Sequence, residues 1–288
     1  MKIEKILIGI DFGPKTDSII SYASYFADKL RASLHLLYVI DYIVTPPAYL
    51  IPYIEEEKKN AEKNFEAVKK LFSSANIINI ETEVIIGRLQ ESFHATLKRI
   101  NADMLILGFM THTFRRSSSE KLIKGLQIPM LVVRGKKSNS TSIKSLKINK
   151  ILCPVDFSYQ SKKALNVALQ LKDIFSAKLE ILHVSQDYLI KRIKRLQGQE
   201  KEKDRALNEL KEKTRETLNS FLENLSLKEQ GFIYEGDPVK KIISFVEERD
   251  MDLVVMGAKG LGLIKGMLIG SVTDAVLKTS PCPVLVIS

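Results

Sequence analysis

Ile151-Leu152-Cys153-Pro154-Val155-Asp156-Phe157 repeats, at an offset of 145, the run Ile6-Leu7-Ile8-Gly9-Ile10-Asp11-Phe12. The same offset carries Leu34-His35-Leu36-Leu37-Tyr38-Val39 onto Leu179-Glu180-Ile181-Leu182-His183-Val184. Further along the offset becomes 149, where Ala102-Asp103-Met104-Leu105-Ile106-Leu107-Gly108 meets Met251-Asp252-Leu253-Val254-Val255-Met256-Gly257. Near each end it is 154, pairing Ile128-Pro129-Met130-Leu131-Val132-Val133 with Cys282-Pro283-Val284-Leu285-Val286-Ile287. A chain that repeats itself in this way is two copies of one folding unit. Its register drifts by only four and five residues, and indels of that size belong in loops or at helix ends. Gly135-Lys136-Lys137-Ser138-Asn139-Ser140-Thr141-Ser142 has the composition of a polar, flexible linker, so domains are expected over 1–136 and 149–288.

Each copy alternates apolar runs with amphipathic stretches. In the second copy the runs fall at 151–155, 179–184, 232–234, 253–256 and 283–287. Most are apolar on consecutive residues, the pattern of a parallel strand buried on both faces. Between them Ala164, Leu165, Ala168, Leu169 and Leu171 have helical spacing, as do Val239, Ile242, Ile243 and Val246. Asp237-Pro238 supplies the second of these helices with an N-cap and an N1 proline. The order β-α-β-α-β-α-β-α-β predicts an α/β fold: two tandem doubly wound, Rossmann-like domains, each an open five-stranded parallel sheet with helices on both faces. Ligands of such sheets bind beyond the carboxyl ends of the strands, where strand order reverses.

The 288 residues suit two cores of ordinary size, and 45% hydrophobic with 27% charged residues is a globular balance. The start, Met1 to Ile10, lacks the apolar core of a signal peptide, and no apolar run approaches the ~20 residues of a membrane span, so a cytoplasmic protein without membrane contact is expected. Two cysteines, Cys153 and Cys282, allow no disulfide framework and read as buried thiols. His35, His94, His112 and His183 are dispersed, and no metal site is expected. The net charge of +10 would suit an anionic partner, but lysines mixed with glutamates, as in Glu55 to Lys59 and Glu200 to Arg205, make solvated helix faces and no nucleic-acid stripe.

Residues with chemistry gather at one sheet edge of the second copy. Its first strand ends in Pro154-Val155-Asp156, its fourth in Gly257-Ala258-Lys259-Gly260, and Gly270-Ser271-Val272-Thr273 opens the last helix. Gly257 and Gly260 allow positive φ and let main-chain amides approach an anion with no Cβ in the way. Gly270 and Ser271 add helix-start N–H groups, a hydroxyl and the positive end of the helix dipole. Phosphate suits such a nest. Asp156 would repel it, and is placed to accept from ribose hydroxyls. Competing structural roles are plain enough. Asp156 could cap the helix starting near Ser158, Pro281 and Pro283 could set the start of an edge strand, His183 packs, and Lys259 and Lys265, in or near the phosphate loop, could touch phosphate oxygens but read rather as solvent-exposed cations.

Gly257-x2-Gly260-x9-Gly270-Ser271, with Pro154 to Ser158 before it and Pro281 to Val286 after it, resembles the universal stress protein family in its tandem two-domain form, over nearly the whole chain. The resemblance implies binding of ATP or another adenine nucleotide and a stress-linked regulatory role, with no established reaction. It implies Asp156 on the ribose or adenine side, Val184 against adenine, Met256 and Gly257 near the nucleotide, and Gly260, Gly270, Ser271 and Val272 on the phosphates. Pro154, Val155 and Thr273 complete the expected set, and magnesium is a fitting companion of the phosphates. The final strands, Met130 to Val133 and Val284 to Ile287, are expected at sheet edges, and the resemblance implies a dimer contact there, here made within one chain. A homodimer of whole chains is expected beyond that, with any protein partner unknown.

The first copy departs from the motif. It keeps Asp11 and Gly108, but Thr111 stands for Gly260, Arg116-Ser117 for Gly270-Ser271, Gly9 for Pro154, and the loop is five residues shorter. Such a loop is not expected to wrap a triphosphate; Arg115, Arg116 and Ser117 to Ser119 could hold a simple anion, but an exposed basic-polar loop needs no ligand to explain it. Two other functions stay open: a slow ATPase or nucleotidyl or phosphoryl transferase, although no Walker-type lysine precedes Ser271, and a nucleotide-free interaction module. The charged stretch 186–228 could serve a partner, with Leu207, Leu210, Leu218, Phe221 and Leu222 expected to pack on the sheet.

Overall fold

The apolar runs form strands and the amphipathic stretches form helices in a computed structural model that describes residues 2–41, 50–72, 77, 79–108, 122–123, 125–134, 146–186, 200–223, 231–260 and 269–288. The first copy contains β1 (Lys5–Gly9), α1 (Thr16–Leu30), β2 (Ser33–Asp41), α2 (Ile51–Phe72), β3 (Ile80–Gly87), α3 (Leu89–Ile100), β4 (Met104–Gly108) and β5 (Met130–Val133). The second contains β6 (Lys150–Val155), α4 (Tyr159–Phe175), β7 (Lys178–Gln186), α5 (Glu200–Glu223), β8 (Gly231–Gly236), α6 (Pro238–Glu248), β9 (Leu253–Gly257), α7 (Ser271–Thr279) and β10 (Val284–Ile287). The linker at 135–142 lies outside the described residues.

The ten strands make one sheet in the order β3-β2-β1-β4-β5-β10-β9-β6-β7-β8. Each half is the expected five-stranded parallel unit, with its order reversing between β1 and β4 and between β6 and β9. The halves join through an antiparallel pair, Val284 opposite Val132, Leu285 opposite Leu131 and Val286 opposite Met130. The final strands are edges of their own halves and make the expected contact within one chain, so in the joined sheet β5 and β10 are central and the outer edges are β3 and β8. Four apolar residues on each strand leave no charge or bulge to keep the two apart, and pairing satisfies their main-chain groups. Pro281 and Pro283 lead into an interior strand, and the Pro283 carbonyl accepts from Val254 N at 3.0 Å.

Strand side chains alternate between two cores. Ile6, Ile8, Ile151 and Cys153 face α1, α2, α4 and α5, whereas Leu7, Leu152, Val254 and Val286 face α3, α6 and α7. Both cysteines are buried free thiols. Of the apolar residues on α5 only Leu218 and Leu222 are buried, while Leu207, Leu210 and Phe221 are half-buried. The copies also meet through side chains: the Phe175 ring lies 5.1 Å from Tyr25 and 5.2 Å from Phe26, and Arg134 donates to the Leu277 carbonyl on α7.

The repeat extends to single hydrogen bonds. Asp103 Oδ2 accepts from the amides of Glu4 and Lys5, and Asp252 Oδ2 from those of Asn149 and Lys150. After the first strand of each copy an aspartate accepts the amide two residues on, Gly13 N to Asp11 Oδ1 at 2.9 Å and Ser158 N to Asp156 Oδ1 at 3.1 Å. Each of these Asx turns holds the intervening Phe12 (φ 53°) or Phe157 (φ 65°) in the left-handed region, at a cost of about 1–2 kcal/mol. That kink turns the chain off the strand tip and opens a corner there.

Candidate functional site

The corner in the second copy is an open cavity of about 210 Å³. It lies at the carboxyl ends of β6, β7 and β9, where strand order reverses. All eleven residues singled out from the sequence meet in its wall: Pro154, Val155 and Asp156 at the tip of β6, Val184 on β7, Met256 and Gly257 on β9, Gly260 beyond it, and Gly270, Ser271, Val272 and Thr273 at the start of α7. Five more residues line it, of which sequence reasoning missed four and read the fifth, Lys259, as more exposed than it is. Leu182, Pro238 and Ile242 extend the apolar side, and Ser161 and Lys259 the polar side. Pro238 and Ile242 were legible as i and i+4 on α6, on one helix face, but read only as N1 and core. Lys259 reads from sequence as a solvent-exposed loop residue, whereas it lines the cavity.

The glycines act by size more than by conformation. Neither Gly257 nor Gly260 has positive φ, which corrects the expected backbone turn. A Cβ on Gly257 would come within 2.9 Å of the Gln160 main chain in the first turn of α4, so its absence lets helix and strand tip touch. A Cβ on Gly260 would overlap Asp156 Oδ2.

Hydrogen bonds fix which donors face the cavity. Gly270 N donates to the Ala258 carbonyl at 2.7 Å, so it is not the open amide expected. Thr273 Oγ1 donates to the Gly257 carbonyl at 2.9 Å, tying α7 to the tip of β9. Gly270 is the N-cap of α7 and has no side chain with which to cap it. The amides of Ser271, Val272 and Thr273 therefore stand at the positive end of the helix, beyond reach of any intrahelical acceptor.

Asp156 is not a helix cap. Ser158 caps α4, accepting from Ser161 N at 3.1 Å, and Asp156 holds the cap's own amide. Behind this turn His183 stacks on Phe157 at 4.3 Å, and its Nδ1 lies 2.8 Å from the Val155 carbonyl, which makes Nδ1 the protonated nitrogen. Burial pushes the imidazole below its usual value, while the Val155 carbonyl and Asp156 pull it the other way. It packs, as read from the sequence.

In the first copy side chains take up the space beside the tip of β1, the place that matches Pro154. Phe93, the fifth residue of α3, stands where Ile242 stands in α6, and Leu107 where Met256 stands. A Cβ on Gly9 would lie 2.5 Å from Leu107 Cδ2 and 2.9 Å from Phe93 Cζ. Leu107 and Phe93 thus crowd the space that a side chain would need where the second copy has Pro154. Thr111, Arg115, Arg116 and Ser117 to Ser119, and in the second copy Lys265, lie outside the described residues.

Comparison with known proteins agrees with this architecture. The model of the universal stress protein family matches the chain twice, over residues 2–134 and 147–288. The chain belongs to the universal stress protein family. A universal stress protein of Methanocaldococcus jannaschii is 33% identical over 156 residues, covering 50% of this chain and 96% of the relative. One from Mycolicibacterium smegmatis is 25% identical over 298 residues, covering 98% of this chain and 96% of its own, which gives it the same tandem length. The crystal structure of a universal stress protein from Archaeoglobus fulgidus superposes with a TM-score of 0.71 at 21% identity, covering 99% of this chain and 96% of that one, and shares the fold. Among the described residues of this universal stress protein, no helix is long and apolar enough to cross a membrane, and no group of three or more His, Cys, Asp or Glu could hold a metal ion.

Proposed function

We propose that residues 149–288 bind one adenine nucleotide, ATP or a close relative, in the cavity at the switch point, and that residues 1–136 serve as their structural partner. The carrying observation is the union of an apolar slot with the uncapped start of α7 in one cavity. Pro154, Val155, Leu182, Val184, Ile242 and Met256 offer a planar base the flat aliphatic contacts it needs. Asp156 accepts from ribose hydroxyls, and the first turn of α7 with Ser271 holds phosphate. Gly257, Gly260 and Thr273 keep that turn in place. The space that Leu107 and Phe93 fill beside Gly9 supports a single site per chain.

Magnesium fits as a companion held mainly by the phosphates, since Asp156 is the one carboxylate among the described residues of the wall. The role is regulatory: occupancy of the cavity reports adenylate to a partner during stress in the cytoplasm. Whole chains forming a homodimer have their β5 and β10 already paired internally, so the contact uses another surface; light scattering gives the state. Calorimetric titration with ATP tests the proposal. Wild type binds with a stoichiometry of one, and the Gly260→Val, Gly270→Val double variant loses binding. Equal affinity in the two proteins overturns it.

A further inference from the structure

Helix α7 begins in the cavity wall and ends against the first copy. Its last turn lacks an intrahelical donor: the Leu277 carbonyl would accept from the residue four positions on, which is Pro281 and has no N–H. The carbonyl before it, on Val276, is met by Ser280 N at 2.8 Å, and Ser280 Oγ turns away to donate to the Cys282 carbonyl at 2.7 Å. The Leu277 carbonyl accepts instead from the guanidinium of Arg134, the residue that follows β5 in the first copy. A full positive charge thereby stands at the negative end of the helix dipole, on a half-buried side chain where salt screens it little. The matching position in the second copy, at the offset of 154, is Ser288, whose side chain carries no charge. The arrangement therefore serves α7 from one direction, from the first copy to the second.

A helix of nine residues is about 13 Å long and moves as a rod, so whatever fixes its last turn also fixes the amides of its first. Two tethers hold this rod. Thr273 Oγ1 ties its start to the Gly257 carbonyl within the second copy, and Arg134 ties its end from outside that copy. Removing the second tether leaves a buried carbonyl without its donor, and α7 relieves that by fraying or tilting, which displaces Ser271, Val272 and Thr273 in the cavity wall.

We propose that Arg134 is a positioning residue through which the first copy sets the affinity of the second for anionic ligands. This rests on the nucleotide site proposed above, and gives the first copy a part in binding that the role of structural partner does not include. By linkage, a ligand seated on α7 tightens the contact between the copies by the same factor.

The test is calorimetric titration of wild type, Arg134→Met and Arg134→Lys with ATP, and with adenosine by displacement of bound ATP, urea denaturation first confirming that each variant folds. In Arg134→Met the ATP affinity falls about fivefold, the size of one charge at a helix end, adenosine affinity is unchanged, and Arg134→Lys keeps most of the ATP affinity. Should Arg134→Met not fold, Arg134→Gln, which donates without the charge, must show the same loss confined to ATP. ATP affinity untouched by the substitution, or equal losses for adenosine and ATP, would overturn the role of Arg134 and leave the nucleotide site standing. Failure of ATP to bind wild type, or of adenosine to compete with it, overturns the site as well.

Discussion

The Asp156 carboxylate rests against the Cα of Gly260, in space that any side chain at position 260 would claim. The tip of the first strand and the loop after the fourth are thereby in direct contact. Asp156 is held in turn by the Ser158 amide at 3.1 Å. Gly260→Ala therefore displaces Asp156 as well as adding a methyl to the loop. An affinity loss of at least about tenfold for ATP, with the melting temperature little changed, is expected in calorimetric titration. Unchanged affinity would mean that Asp156 and the loop do not share a ligand.

Packing at the tip of β1 in the first copy depends on Gly9 with Leu107 and Phe93. Gly9→Ala forces a methyl into Leu107 and Phe93 and should cost about 1–3 kcal/mol. Phe93→Ala empties a buried site and should cost about 3–5 kcal/mol. Urea denaturation measures both. Neither should alter ATP binding by the second copy; a change in that affinity would place the nucleotide in the first.

Contact across the two copies includes an aromatic group as well as the strand pair. Phe175 of α4 packs on Tyr25 and Phe26 of α1, and Tyr25 Oη accepts from Ile148 N at 3.3 Å. A double-mutant cycle of Phe175→Ala with Tyr25→Ala should give a coupling energy of about 0.5–1.5 kcal/mol. Simple additivity in urea denaturation would deny the contact.

His183 links stability to pH. Its folded form is depressed by burial, so the folded chain binds fewer protons there than the unfolded chain, whose histidine titrates near about 6.5. Its contribution to stability is thus fully present above about pH 6.5 and is lost as pH falls from there toward the lower folded value. Denaturation midpoints measured from neutral to mildly acid pH should fall in wild type and fall less in His183→Gln. Identical slopes would remove His183 from the explanation.

Legibility differed between parts of the molecule. The strand runs, the three offsets and the N-cap at Asp237, which accepts from Lys240 N at 3.0 Å, are local patterns, and each produced the element expected of it. The eleven cavity residues were legible because strand tips of a doubly wound sheet converge, whatever the side chains do. What needed the structure was partner choice. Gly270 N and Thr273 Oγ1 look like open donors in sequence, and only their distances to Ala258 and Gly257 show them committed. The glycines at 257 and 260 fit a conformational reading equally well until Gln160 and Asp156 are seen against them. Strands β5 and β10 each look like an edge within one copy, because the antiparallel pairing that covers them crosses 150 or so residues of chain. Phe93 lies against Gly9 from 84 positions away, a signal visible only once Ile242 and Pro154 are seen to line the cavity.

Where the base sits can be read by photo-crosslinking with 8-azido-ATP followed by peptide mapping. The label should fall on peptides carrying Val184 or Met256, and excess ATP should suppress it. Label on the peptides carrying Val39 or Leu107, or label that ATP fails to suppress, would contradict a nucleotide site in the second copy.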